Sequence, residues 1–88
     1  MMKRILIISH NQLDATSKLP NILETQTHVR KMLDTSWLVI TTETPEQFWT
    51  KMEPYLNKDV EKVFIGEIKG YQGWLSRTVW EWITETMK

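Results

Sequence analysis

The chain has 88 residues, enough for one domain (1–88), and its eleven basic side chains balance its eleven acidic ones. A neutral chain lacks the long-range field that supplies most non-specific nucleic-acid affinity, which argues against a DNA-coating role. Cysteine is absent, which excludes the disulfide-stapled secreted class and leads us to expect a cytoplasmic protein in a reducing compartment.

In chain order, Lys3-Arg4 leads into Ile5-Leu6-Ile7-Ile8, a continuous apolar run that predicts a central strand covered on both faces. The run is too short for the apolar core of a signal peptide or for a membrane span, so no membrane association is expected. Ser9 to Gln12 break the run and open a loop. From Asp14 to about Thr25 the pattern predicts a helix, with Leu19, Ile22 and Leu23 on one stripe and Pro20 tolerable only near its start. Thr27 to Leu33 alternates His28, Arg30 and Met32 with Val29, Lys31 and Leu33, which predicts a half-exposed strand. Asp34-Thr35-Ser36 supplies turn chemistry, and Trp37-Leu38-Val39-Ile40 reads as a buried strand closing a hairpin.

Thr44-Pro45-Glu46-Gln47 is a helix start: a threonine cap, proline at the first helical position and glutamine at the capping-box position. Phe48, Met52, Tyr55 and Leu56 give that helix its apolar face, and Pro54 is expected to kink or end it. After a turn at Asn57 to Asp59, Val63-Phe64-Ile65 with Ile68 reads as the fourth strand. Gly66 inside it suggests a bulge or a close backbone approach. Gly70 and Gly73 bracket a loop, and Trp74 to Met87 reads as helix with Leu75, Val79, Trp82 and Ile83 on one stripe. The order strand, helix, strand, strand, helix, strand, helix predicts an α+β domain. It is the split ferredoxin-like βαββαβ arrangement: an antiparallel sheet, helices on one face, and a C-terminal helix. The other face of such a sheet needs cover, and a second copy of the chain is the simplest one, so a homodimer is expected.

Five tryptophans are many for this length, and a core this small holds them all with difficulty. Trp37 and Trp82 sit in apolar patterns and are assigned to the core, while Trp49 flanks its helix stripe as core or rim. Trp74 and Trp80 fall off the last stripe. They are assigned to a dimer interface or to cover within the chain, with stacking on exposed bases as a third use.

Several segments carry a resemblance. Thr35-Ser36-Trp37-Leu38-Val39, Met52-Glu53-Pro54-Tyr55-Leu56, Val63-Phe64-Ile65-Gly66-Glu67-Ile68, and Gly73-Trp74-Leu75 through Trp80-Glu81-Trp82-Ile83 resemble small bacterial proteins of the SinR family. These are similar to the small CRISPR spacer-acquisition subunit, the Cas-two nuclease-like group, and the VapD ribonucleases share that general architecture. The resemblance spans nearly the whole chain in order, with the first helix weakest. It implies a ferredoxin-like homodimer in which a strand-one motif ending in Tyr-Asp brings one carboxylate per subunit to the seam. There the carboxylates hold a divalent metal, Mg²⁺ or Mn²⁺, for phosphodiester hydrolysis.

In this sequence the matching positions are His10 and Asn11. Asparagine brings no charge to a hard cation that favours carboxylate oxygen. Asp14 is the nearest carboxylate and could replace it as a metal ligand; as a plain structural residue it would cap a turn or helix. His10 could serve as general base, or simply hydrogen-bond in a loop. Ser9 does not pair with it, because adjacent strand residues point to opposite faces. His28 and Arg30 share one strand face and could contact phosphate, or could simply keep a sheet edge soluble. Metal-ligand spacing and a glycine-rich phosphate loop are both missing from the sequence. Two functions follow: a nuclease acting on RNA or DNA with His10, Asn11 and Asp14 in its site, or a catalytically silent homodimer that binds protein or nucleic acid. The second is preferred.

Overall fold

In the computed structural model, which describes residues 2–11, 18–26, 28–57, 59 and 61–88, the first apolar run becomes strand β1 (Arg4–His10). It lies between β3 (Ser36–Thr41) and β4 (Val63–Ile68), antiparallel to both, and β2 (Val29–Leu33) pairs with the outer side of β3. The sheet is therefore four-stranded and antiparallel throughout, in the order β2-β3-β1-β4. Ile5 stands between Ile40 and Ile68, and Ile8 between Trp37 and Ile65.

The continuous apolar run is explained by two cores, one on each face. Side chains alternate along a strand, so Leu6 and Ile8 face one layer while Ile5 and Ile7 face the other. On the first face, α1 (Leu19–Glu24) contributes Leu19 and Leu23, and α2 (Pro45–Met52) contributes Phe48 and Met52. These close over Leu6, Ile8, Trp37 and Val39. On the second face, α3 (Arg77–Met87) lays Val79 and Ile83 on Ile5, Leu38 and Ile40. The fold is α+β, with two helices on one face of the sheet and one on the other. Part of the face that was expected to need a second copy is thus covered by the chain's own α3.

The helix ends follow local chemistry. At α2 the Thr44 hydroxyl accepts the Gln47 N–H at 3.2 Å and the Gln47 side-chain oxygen accepts the Thr44 N–H at 2.9 Å, which completes the expected capping box. Pro54 acts as expected: α2 ends at Met52 and continues as a single tighter 3-10 turn, Glu53–Tyr55. That turn has three residues per repeat instead of 3.6, so Tyr55 swings off the apolar stripe and is exposed, while Leu56 stays half-buried. The first helix begins at Leu19 among the described residues, and the part expected over 14–17 lies outside them.

α3 begins at Arg77 and not at Trp74. Gly73 has φ +151°, a conformation that residues with a Cβ rarely adopt. Trp74 and Leu75 follow it outside any helix or strand, and Ser76 stands at the N-cap position without a side-chain capping bond. Gly66 marks a close approach: the pairing of β1 with β4 is regular, and the Phe64 ring lies over Gly66, so a Cβ there would come within 3.1 Å of Phe64 Cε2. A bulge does occur in β2, between Lys31 and Leu33. It places the neighbours Met32 and Leu33 along the same groove, against the usual alternation.

Candidate functional site

The polar residues that end β1 are drawn into the sheet's pairing. The His10 backbone N–H donates to Thr35 O at 2.9 Å, and the Asn11 N–H donates to Lys62 O at 3.1 Å. The Asn11 side-chain Oδ1 in turn accepts the Lys62 N–H, also at 3.1 Å. Asn11 and Lys62 thus form a reciprocal pair that carries the β1–β4 ladder one step past the end of the strands.

His10 points to the first face and is only 4% exposed. Its Nε2 lies 3.6 Å from Glu61 Oε2, beyond hydrogen-bond length but within the reach of a charge pair. The Glu61 side chain is itself nine-tenths buried, and its Oε2 has no hydrogen-bond partner among the described residues. Beside Glu61 is a shallow cavity of about 310 Å³ lined by Trp49, Glu53, Leu56, Lys62 and Val63. A histidine facing a carboxylate has the composition of an oriented general base. Here the imidazole is sealed in and cannot touch a substrate in this conformation. Ser9 lies on the opposite face, with its Oγ 3.3 Å from Ser36 Oγ.

Glu61 is the site residue that the sequence reading missed. Its signal was parity: Glu61, Val63 and Ile65 are spaced by two, and the latter two face the first core. Extending that alternation back through the turn puts Glu61 on the same inner face as His10. A backbone bond from the Glu61 N–H to Asn57 O at 2.8 Å fixes the turn there. Asp14 lies outside the described residues.

His28 and Arg30 are placed elsewhere. His28 is exposed, and its carbonyl accepts the Ile40 N–H at 3.0 Å. Ile40 pairs with Ile5, which is five residue steps from His10, about 17 Å along the strand. The two histidines therefore sit at opposite ends of the sheet. The Arg30 guanidinium lies 5.9 Å from the centroid of the Trp82 ring, and the Lys31 ammonium 5.8 Å from that of Trp37 on the other face. Both cations on the β2 edge thus cover indole surface. Trp82, assigned to the core, is half-buried under Arg30, and Trp37 is buried as expected.

Trp80 is half-buried on the second core and stacks on Tyr71, with ring centroids 5.9 Å apart and planes at 23°. Trp74 is 100% exposed. At the β4 edge, the Lys69 ammonium hydrogen-bonds Glu67 at 2.8 Å and the Arg4 guanidinium lies 3.4 Å from its other oxygen. The hydrogen bond from Lys69 holds the Glu67 carboxyl below its ordinary pKa, with help from both positive charges and against partial desolvation.

Among the described residues no group of three histidine, cysteine, aspartate or glutamate side chains converges to hold a metal ion. No helix among them is long and apolar enough to cross a membrane. Neither a family model, nor a curated protein, nor a solved structure matches the chain.

Proposed function

We propose that this chain is a homodimeric, ferredoxin-like, nuclease-type scaffold that works in the cytoplasm as a catalytically silent interaction module. The observation that carries this reading is the position of Asn11. The resemblance to the SinR and Cas-two-like proteins expects a metal-binding aspartate there. This chain has a neutral amide whose oxygen is already bonded to the Lys62 N–H. A hard divalent cation favours carboxylate oxygen, so the Asn11 amide does not fit Mg²⁺ or Mn²⁺ as the expected aspartate would. The ferredoxin-like reading draws on the antiparallel order β2-β3-β1-β4 with α1 and α2 on one face, the interleaving expected of two split βαβ units.

A second reading, a metal-dependent endonuclease, is favoured by one observation: Glu61 keeps a buried oxygen unsatisfied next to His10. Such a group is costly to maintain in a plain structural role. The deciding experiment is a cleavage assay on single-stranded RNA and duplex DNA, with and without Mg²⁺ or Mn²⁺. The Asp14→Ala and His10→Ala proteins run alongside. The interaction module predicts no turnover. Metal-dependent cleavage that is lost in either variant would overturn it.

A further inference from the structure

Between α3 and the second face of the sheet is a groove of about 460 Å³. Ile5, Leu38, Ile68 and Ile83 form its floor, and the stacked Tyr71 and Trp80 form one wall. No charged side chain lines it among the described residues. Its volume lies in the range of roughly 300–1,000 Å³ typical of sites that enclose a ligand. At its rim stands Trp74, fully exposed, immediately after the left-handed Gly73. Leu33 and Tyr71, 57% and 50% exposed, complete the rim.

We propose that this groove is the contact between two copies of the chain, with Trp74 of each copy seated in the groove of the other. The inference rests on the homodimeric reading above and names its surface. A two-fold contact needs a patch that complements itself, and here a protruding indole and an apolar groove adjoin on one patch. The rim side chains Trp74, Tyr71 and Leu33 expose on the order of 400 Å² of largely apolar surface, half of the ~800 Å² per partner that a stable protein pair buries. The groove walls and α3 flank supply further area. A chain with no net charge does not repel its copy. The β2 bulge, by turning Leu33 to the same side as Met32, widens the apolar rim that the partner meets.

The test is molar mass by light scattering across micromolar to about 100 µM protein, for the natural chain, Trp74→Ala and Leu33→Glu. Circular dichroism checks that each is folded, which is expected because both side chains are exposed. The natural chain should reach twice 10.5 kDa at tens of micromolar. Trp74→Ala should raise the dissociation constant at least about thirtyfold, the scale of a buried tryptophan hot spot. Leu33→Glu should weaken the dimer in the same direction. A dimer that both variants leave intact would overturn this contact while leaving the homodimeric reading in place. A natural chain that stays at 10.5 kDa throughout would overturn both. A monomer whose melting temperature rises with added indole would assign the groove to a small aromatic ligand and overturn the proposal.

Discussion

Asn11→Ala removes the acceptor of the Lys62 N–H and leaves the backbone bond from Asn11 to Lys62 O in place. A neutral hydrogen bond contributes ~0.5–1.5 kcal/mol. The lower part of that range applies here, because both residues are exposed and water can solvate the freed amide. Each kcal/mol moves the melting temperature of a domain this size by about 4–8 °C. A loss of about 0.5–1 kcal/mol therefore lowers it by about 2–8 °C. Asn11→Asp keeps an oxygen in the same place and makes the bond charge-assisted, so near neutral pH it should melt within about 2 °C of the natural chain. Thermal melts followed by circular dichroism, repeated as urea titrations, measure both. If alanine melts like asparagine while aspartate is destabilising, the side chain is not a clamp and the structural account of this position fails. The aspartate variant also bears on function, since it restores the carboxylate that the resemblance expects. Millimolar Mg²⁺ should leave the melting temperature of the natural chain unchanged, because only a ligand that binds the folded state raises it.

Phe48→Ala opens the centre of the first core, where Phe48 is wholly buried. Its cost of about 3–5 kcal/mol compares with roughly 4–13 kcal/mol for an entire domain of this length. Urea unfolding should show stability lowered by about 3–5 kcal/mol, and a loss below about 1 kcal/mol would contradict the packing. Glu61→Leu exchanges a buried carboxylate, one oxygen of which has no hydrogen-bond partner among the described residues, for an apolar side chain of similar size, so its melting temperature should equal or exceed that of the natural chain. A clear drop would mean that Glu61 holds His10 in place. Lys69→Ala should move the Glu67 titration, followed by carboxyl-selective NMR, up toward the ordinary carboxylate value. A depressed folded pKa stabilises above the unfolded value and ceases to do so as pH falls through the folded one. The natural chain should therefore lead Lys69→Ala near neutral pH, and the lead should vanish in the acid range.

The elements were legible where one local signal dominated. Thr44, Pro45 and Gln47 fixed the start of α2 because every group in a capping box lies within four residues. The run Ile5 to Ile8 announced a strand covered on both sides, and each side proved to have its own core. What covers the second side was not legible, because a bare sheet face attracts a second copy and an appended helix equally well. Only the packing of Val79 and Ile83 on Leu38 and Ile40 distinguishes them. Tyr55 left its stripe because the turn after Pro54 changed the helical period. Trp74 left the last helix because Gly73 put a turn ahead of it. At the site, His10 and Asn11 were found from the end of the apolar run. Their partners Glu61 and Lys62 lie some fifty positions away and were brought in by β1–β4 pairing, which no local pattern encodes.

The end of β1 at His10 and the loop into α3 hold opposite chemistry. At the His10 end the polar groups are turned inward or bonded: the imidazole is sealed against Glu61, and the Asn11 amide is tied to Lys62. Around the loop into α3, Tyr71 and Trp74 face outward beside a groove that no charged side chain lines among the described residues. A hydrolase needs polar groups converging on an open cleft, whereas a protein that holds a macromolecular partner needs exposed aromatic anchors beside a pocket. The preference for binding over catalysis therefore draws on more than the lack of one aspartate. It follows from where the chain buries its acid–base residues and where it leaves its indoles.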